Sequence, residues 1–523
     1  MSVSLLVFLS CLLLSVSASA QVGINATLSG SVADATGALI PGVSVIATNT
    51  ATAVATDTLT NEAGTYRFPS LQPGLYEVKA SLPGFQSQSF RLNLGTAQQI
   101  RQNFTLQVGN VATNVEVSAA ADELLTAAVA SVSTVLDSQQ ILDLPLVGRN
   151  VMDLVTATMP GVVGDGQAST TFAGITTNGA SNVAISMDGV TMNTGRHTQG
   201  LKTSFFVAPD MVDEMRVVVA PVDVEGRGAA QIQMRARSGG NQFHGAATWN
   251  VRNSALNANS WTANRQGSTP VWYNRHQTTL SVGGPIFKNK TFFFVLYDRN
   301  DQLQKETVNA AVLTPTARSG LFRYFPGVNN GNADATVSGT GNTRVAPVVD
   351  KQGNPLDWTQ IPGATGPMRT FSVFGDALNP GDPNRTGPDP TGYIAAVMGK
   401  MPLPNAYDGA ATVGGVAIDG LNTAVHRWVR RTVAGSAGGT AQNIEAFNRT
   451  QLNIKIDHNF NAKHRLSGTW VDEKHYSDNN NLSPWPTGYS GEIREKPKVR
   501  SLSFTSVLTP NLLNEFRFGY RST

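Results

Sequence analysis

The sequence predicts a mostly β chain in three parts: a small antiparallel sandwich, a mixed α/β domain, and the first strands of a large antiparallel sheet. Short alternating runs broken by Gly and Pro fill Leu28 to Val108. The pattern turns mixed between Asp122 and Gln242. From Phe243 onward, long runs of period two are joined by short polar turns, the signature of strands with one apolar and one polar face.

At 523 residues the chain is too long for one ordinary domain. Charged residues make up 14% and hydrophobic ones 41%, and 50 glycines suit β structure with many turns. A net charge of +3 without a basic cluster argues against nucleic acid as a partner. Leu5–Val16 is a short apolar core followed by Ala18-Ser19-Ala20. Residues 1–20 therefore read as a signal peptide cleaved before Gln21. No Lys or Arg precedes that core, so the coding start is expected to lie upstream. The single cysteine, Cys11, falls inside it; a lipoprotein site at Phe8–Cys11 is the other reading. The mature chain would carry no thiol and no disulfide.

In the first domain, residues 28–108, Tyr66 and Phe68 alternate, Pro73-Gly74 turns, Tyr76 and Val78 alternate, and Pro83-Gly84 turns again. That spacing predicts a sandwich of about seven strands. The order Gly64-x-Tyr66-x-Phe68-x-x-Leu71-x-Pro73-Gly74-x-Tyr76-x-Val78, closed by Gly84-Phe85, resembles the carboxypeptidase-regulatory-like (transthyretin-like) domain. The family name implies no peptidase here. The aromatics read as core, with a carbohydrate- or protein-binding face as the other possibility.

Residues 109–121 are extended and rich in small side chains, with Val111, Val115 and Val117 in alternation. They read either as a linker strand or as a strand that a partner captures by main-chain pairing. In residues 122–242, Ser138–Leu144 leads into a short helix expected from Arg149-Asn150 through Thr156 and ending near Pro160-Gly161. Val183–Met187 is a strand stopped by the hairpin signal Asp188-Gly189. Met211–Ala220 passes from helix to strand, and Ile232, Met234 and Ala236 alternate with Gln231, Gln233, Arg235 and Arg237. So polar a strand suits a wet setting better than a dry core.

In the third part, residues 243–523, Gln277–Asp301 reads as strand, turn, strand. Thr278, Leu280 and Val282 share one face, Gly283-Gly284-Pro285 breaks the pattern, and Lys288-Asn289-Lys290 turns. Leu452, Ile454 and Ile456 alternate with Gln451, Asn453, Lys455 and Asp457, and Phe516, Phe518 and Tyr520 with Arg517, Gly519 and Arg521. In a soluble sandwich the apolar face would pack on a second sheet; in an outer-membrane barrel it would face lipid. Short turns always on one side, with long connections on the other (a loop over 304–445 above all), favour the barrel.

Four motifs in register now resemble a TonB-dependent outer-membrane receptor: Leu144–Asn150 (LPLVGRN), the Met187-Asp188-Gly189-Val190 turn, the segment Val212–Ala246, and Gly283–Phe294 (GGPIFKNKTFFF). More narrowly they are similar to the Oar-like group, which carries a regulatory-like domain before its plug. The likeness implies a plug at 122–242 and a barrel from 243, in the outer membrane of a Gram-negative bacterium, with the N-terminal domain periplasmic. It implies an inner-membrane TonB-type energy complex as partner, and an extracellular ligand that residue chemistry leaves open between oligosaccharide, siderophore and peptide. Val115, Glu116 and Val117 are the candidate coupling segment, although Ser118 stands where the family has threonine. Arg149, Arg216, Glu225, Arg227, Arg235 and Arg237 are candidates for contact between plug and barrel wall, as ion pairs that are individually weak in a watery lumen.

About seven barrel strands are counted, whereas a lumen filled by a folded plug needs about 22, and no aromatic residue closes the sequence. The chain is thus expected to be the first part of a longer one and not to close into a pore. The seven histidines are scattered, and neither a metal-ligand pair at helical spacing nor a nucleophile elbow or Walker loop is present. No enzyme and no cofactor are expected. The alternative to transport is surface adhesion or a secretion-related role on the same scaffold.

Overall fold

The computed structural model describes residues 25–109, 115–117, 132–144, 146, 148–158, 162–164, 170–172, 175–176, 183–193, 201, 203–219, 230–259, 261, 264, 272–328, 348–374, 389–407, 412–413, 416–432, 448–478, 485–486, 492–509 and 511–522. The expected signal peptide, Cys11, Glu225 and Arg227 lie outside them.

The sandwich is built from β1 (Ala26–Asp34), β2 (Ser44–Asn49), β3 (Ala55–Leu59), β4 (Thr65–Leu71), β5 (Gly74–Ser81), β6 (Gln88–Leu94), β7 (Gln99–Arg101) and β8 (Phe104–Leu106). One sheet runs β4-β1-β7, with β8 also on β1; the other runs β3-β2-β5-β6 and ends on β9 (Val115–Val117). Alternation buries Leu28, Val45, Phe68, Tyr76, Val78 and Leu92 in one core. Each large apolar side chain so buried contributes roughly 1.5–3 kcal/mol of transfer free energy. Tyr66 donates a hydrogen bond from its hydroxyl to the Gln102 carbonyl at 2.6 Å; burial pushes the phenol's pKa well above its ordinary value, so it stays a donor. At Gly30 the Gln102 carbonyl oxygen stands only 1.7 Å from where a Cβ would sit, so no other residue fits.

The middle domain is a five-stranded sheet in the order β10-β16-β17-β14-β15. Its elements are β10 (Val132–Asp137), α1 (Ser138–Asp143), α2 (Met152–Thr158), a small separate sheet of β11 (Val162–Gly164), β12 (Thr170–Phe172) and β13 (Ile175–Thr176), then β14 (Val183–Met187), β15 (Val190–Thr191), β16 (Val212–Val219) and β17 (Ala230–Ala236). Asp137 caps α1 in a reciprocal box with Gln140. The expected hairpin turn at Asp188-Gly189 is present, both residues at positive φ (47° and 80°), as a tight two-residue connection requires. One reading is corrected here. The polar positions of β17 are not wet: Gln231 and Gln233 are buried, and their side chains bond to each other at 3.1 Å.

The third part is dominated by a nine-stranded antiparallel sheet in the order β18-β19-β20-β26-β27-β29-β30 along its main path, with β25 also on β20 and β28 on β27, beside two separate two-stranded sheets. The strands are β18 (His244–Asn253), β19 (Tyr273–Phe287), β20 (Thr291–Leu313), β21 (Leu321–Tyr324), β22 (Arg369–Ser372), β23 (Thr412–Val413), β24 (Val416–Ala417), β25 (Thr423–Thr432), β26 (Asn448–Asn459), β27 (His464–Asp478), β28 (Glu492–Glu495), β29 (Lys498–Thr509) and β30 (Leu512–Ser522). The path does not close, since β18 and β30 do not pair.

Two expectations are revised. Gly283-Gly284-Pro285 does not end a strand; β19 runs through it to Phe287. The missing side chains leave room: a Cβ on Gly284 would strike the Phe243 ring at 2.3 Å. The connection expected over 304–445 also begins later. β20 continues for 23 residues and pairs with β25, and between them lie α3 (Pro315–Arg318), α4 (Tyr393–Lys400), the hairpins β21-β22 and β23-β24, and a small core around Phe325, Val349, Ile361 and Leu421.

The sheet is inside out. On β19 Gln277 and Thr279 are buried while Leu280 and Val282 are 47% and 45% exposed. On β26 Arg449, Gln451, Asn453, Lys455 and Asp457 are buried while Leu452 and Ile456 face outward. On β30 Phe516, Phe518 and Tyr520 face outward. Among the described residues no helix is long and apolar enough to cross a membrane, so any crossing would fall to these strands.

Candidate functional site at the junction of middle domain and wall

The buried polar face of the sheet is covered by the middle domain. Phe294, Leu296, Val471 and Val499 of the sheet join the middle domain's apolar core, and charged contacts surround that patch. The turn after β14 presents Asp188. Its carboxylate accepts hydrogen bonds from Lys455 Nζ at 3.1 Å and Thr469 Oγ1 at 3.0 Å, both on the wall, and from the Ala236 amide at 3.1 Å. Lys455 Nζ also donates to the Ala236 carbonyl at 3.0 Å. Both partners of the ion pair are nearly inaccessible. With its remaining valences met by hydrogen bonds, such a pair holds its geometry, and loss of one partner leaves an uncompensated buried charge worth about 3–5 kcal/mol. The turn favours glycine at 189, whose φ of 80° is one that residues with a Cβ rarely adopt.

A second anchor is the backbone of Phe206. Its amide donates to Glu473 Oε2 at 3.1 Å, its carbonyl accepts from Gln451 at 2.8 Å, and its ring lies 3.2 Å beneath the Arg449 guanidinium. Arg449 is held in turn by Asp298, also at zero exposure, at 2.8 Å. Asp298 further accepts from Gln277 and Thr279 at 3.0 and 2.7 Å. Beyond the anchor, Glu473 Oε1 meets His475 Nδ1 at 2.9 Å, and His475 Nε2 meets Glu495 of β28 at 3.0 Å. A third anchor is Arg275, which donates to the Gly148 carbonyl at 2.9 Å; at the sheet's far side Arg521 reaches the Asn193 carbonyl.

Of the residues singled out from sequence, Arg149, Arg216, Arg235 and Arg237 are described, and their contacts lie in the middle domain and the sandwich. Arg149 pairs with Asp210 at 2.6 Å and Arg237 donates to the Val212 carbonyl at 3.3 Å, both within the middle domain. Arg235 pairs with Asp213 at 2.6 Å and reaches the Pro73 carbonyl of the sandwich. Arg216 donates to the Thr96 and Ala97 carbonyls of the sandwich, each at 3.2 Å. The cations in the anchors described above come from the wall: Arg275, Arg449, Lys455 and Arg521. Their sequence signal was present, since Arg449 and Lys455 stand on the polar side of an alternating strand; Asp188 had been read only as a turn residue.

The sandwich sits at the short-turn end. The Thr96 amide donates to Glu214 at 2.6 Å, Asn241 reaches the Thr52 carbonyl at 2.6 Å, and Arg465 of β27 donates to Asn25 at 2.8 Å. Val115–Val117 form β9, parallel to β6, with Gln88, Ser89 and Phe90 opposite Val115, Glu116 and Val117.

Three family matches divide the chain in the same order. Residues 27–107 match the carboxypeptidase regulatory-like domain, 126–231 the TonB-dependent receptor plug domain, and 235–523 the outer membrane beta barrel domain. Among curated proteins the chain is similar to the TonB-dependent transporter Oar of Myxococcus xanthus, 27% identical over 261 residues. That stretch covers 45% of this chain and 23% of the relative, so the chain matches about a quarter of that protein's length. Among solved structures it is similar to the siderophore receptor PirA of Pseudomonas aeruginosa (12% identity, TM-score 0.24, 75% of this chain and 58% of that one). It is also similar to the ferric enterobactin receptor PfeA of the same organism (11%, 0.25, 74% and 57%). A dioxygenase domain from a Streptomyces matches 17% of this chain and 84% of its own at a TM-score of 0.14. Structural similarities of that size carry nothing about ligand or chemistry.

Proposed function

This chain belongs to the outer membrane beta barrel domain family, and from that premise we propose that it is the plug-bearing part of a TonB-dependent outer-membrane receptor that imports a ligand captured outside. The single observation that supports this most is the inverted polarity of the sheet. Its apolar side faces away from the protein and its polar side grips a folded domain, so passage needs that domain to shift. A filled lumen lets nothing through by itself, so the work comes from an inner-membrane energy complex. The sandwich, at the short-turn end, is periplasmic on this reading, because outer-membrane barrels keep their short turns there. Oligosaccharide, siderophore and peptide remain the ligand classes.

Val115–Val117 is the proposed point of attachment. A partner that takes this segment by strand addition first strips it from β6, at the cost of a three-residue parallel pairing. The test uses the full-length protein in cells and labelled siderophore, maltooligosaccharide and peptide pools as probes. Accumulation of one of them that collapses with the proton-motive force is expected. Deleting Asn114–Ala119 should abolish accumulation and leave surface binding intact. Binding without energy-dependent accumulation in the intact protein would point to adhesion or a secretion-related role on the same scaffold.

A further inference from the structure

Where the sandwich meets the wall, the two do not fill the space between them. A cavity of about 40 Å³ remains, bounded by Asn49, Ser70 and Tyr76 of the sandwich and by Lys463 of the β26–β27 turn, Arg465 of β27 and Thr505 of β29. A buried water needs roughly 10–15 Å³ of such space, so this cavity takes about three or four water-sized groups. That is room for a small ion and too little for a sugar ring or an acyl chain.

The lining is rich in donors and, among the described residues, holds no carboxylate. The Ser70 hydroxyl is shut away from solvent with no hydrogen-bond partner, and a buried polar group costs free energy until something answers it. The Tyr76 oxygen accepts from the Asn49 side chain and the Gln72 amide, which leaves its own proton to donate, and burial keeps that phenol protonated. Arg465 is half-buried and, among the described residues, makes one side-chain hydrogen bond, to Asn25 at 2.8 Å, although a guanidinium carries five donors. Lys463 is exposed beside it. The other charges acting on Arg465 are Asp457, Glu515 and Arg517. Glu515 is already held by Arg517, and Asp457 accepts from Ser467 at 2.6 Å. With Lys463 included, three cations therefore stand against two carboxylates.

We propose that this cavity is an oxyanion site, taking inorganic phosphate or an ion of the same shape and charge, and that the bound ion ties the sandwich to the wall. Ser70 and Tyr76 donate from one side and Arg465 and Lys463 from the other, so a single ion accepts charge-assisted hydrogen bonds from both. An ion that binds only the docked arrangement stabilises it by linkage, to a degree set by its concentration and affinity. None of these residues belongs to the middle domain, so the site stands apart from any ligand captured outside.

The test uses the full-length protein in detergent, as wild type and as the variants Arg465→Gln, Lys463→Gln and Ser70→Val. Binding of radiolabelled phosphate is measured by equilibrium dialysis at constant ionic strength. Docking is followed by hydrogen exchange over residues 70–76 and 459–465 with phosphate, sulfate or chloride present. Wild type should bind one phosphate per chain, displaced by sulfate and not by chloride, and phosphate should slow exchange in both segments several-fold. Arg465→Gln should weaken binding at least about tenfold, the loss of one strong charged contact, and Lys463→Gln and Ser70→Val several-fold each. Lys463 is exposed in a turn, so its variant decides the matter should Arg465→Gln fail to fold. A short-chain phosphatidic acid carries the same group on a body too large for the space and should not compete; competition would overturn the small-ion assignment. No saturable binding by wild type, equal binding by wild type and Lys463→Gln, or equal protection by chloride would each overturn the proposal. Phosphate that binds yet slows exchange in neither segment would overturn the tie between sandwich and wall.

Discussion

The N-terminal sandwich and the nine-stranded sheet use the same alphabet in opposite senses. In β4 and β5 the buried residues are Tyr66, Phe68, Tyr76 and Val78, whereas in β26 they are Arg449, Gln451, Asn453 and Lys455 and the aliphatic residues lie outside. Alternation with period two states that a strand has two faces. It does not state which one is covered. That is decided by what lies against the strand: a second apolar sheet in one case, a charged and hydrogen-bonding domain in the other.

The contrast can be broken at its most costly points first. Phe68→Ala in the sandwich should lower unfolding free energy by about 3–5 kcal/mol, read by denaturant unfolding. The outward Phe518→Ala should cost far less in the same detergent, and equal losses would mean that the outer face is packed core after all. Of similar size is Lys455→Met, which strands Asp188 without its partner and should loosen the middle domain by about 3–5 kcal/mol. Protease digestion of the middle domain would report this, and adding Asp188→Asn should recover much of it. Next comes Ile454→Arg on the outward face of β26. In lipid vesicles it should cost about 2–4 kcal/mol if that position lies near the bilayer midplane; no effect there would argue that no lipid meets this strand. Asn241→Ala, which removes side-chain bonds to Thr52 and Asn289, should weaken docking of the sandwich by about 1 kcal/mol, measurable as faster hydrogen exchange along residues 49–54. Smallest of all, Arg299→Ala breaks an exposed pair and should leave the denaturant midpoint unchanged within error.

Much of this architecture was legible in the chain. The aromatic and Pro-Gly spacing marked the sandwich, Asp188-Gly189 marked the hairpin, and the runs around Leu452 and Phe516 marked the wall strands and their faces. What could not be read was which distant side chains meet. Lys455 and Asp188 are 267 positions apart, and nothing local in either segment names the other. The arginines of the middle domain drew attention because they are charged and plentiful, yet Arg149 is answered by a neighbour in its own domain. Gly283-Gly284-Pro285 misled for a different reason: Gly and Pro usually punctuate a strand, but here the missing side chains make room for Phe243 and the strand passes through. The long β20 was hidden because its outer half is polar and pairs with a strand more than a hundred residues later.

The docking of the sandwich has a mechanical corollary. Thr96, Ala97 and Pro73 press on Glu214, Arg216 and Arg235 across the short-turn end, so these bonds lie in series with the grip of the wall. On the proposed reading, a load applied at Val115–Val117 would pull on the sandwich through the chain on one side and on the middle domain through the chain on the other. Either the two travel as one body or this seam parts first. A covalent tether between positions 97 and 216 decides the order of events: import that survives it means joint travel, and import that stops means the seam must open.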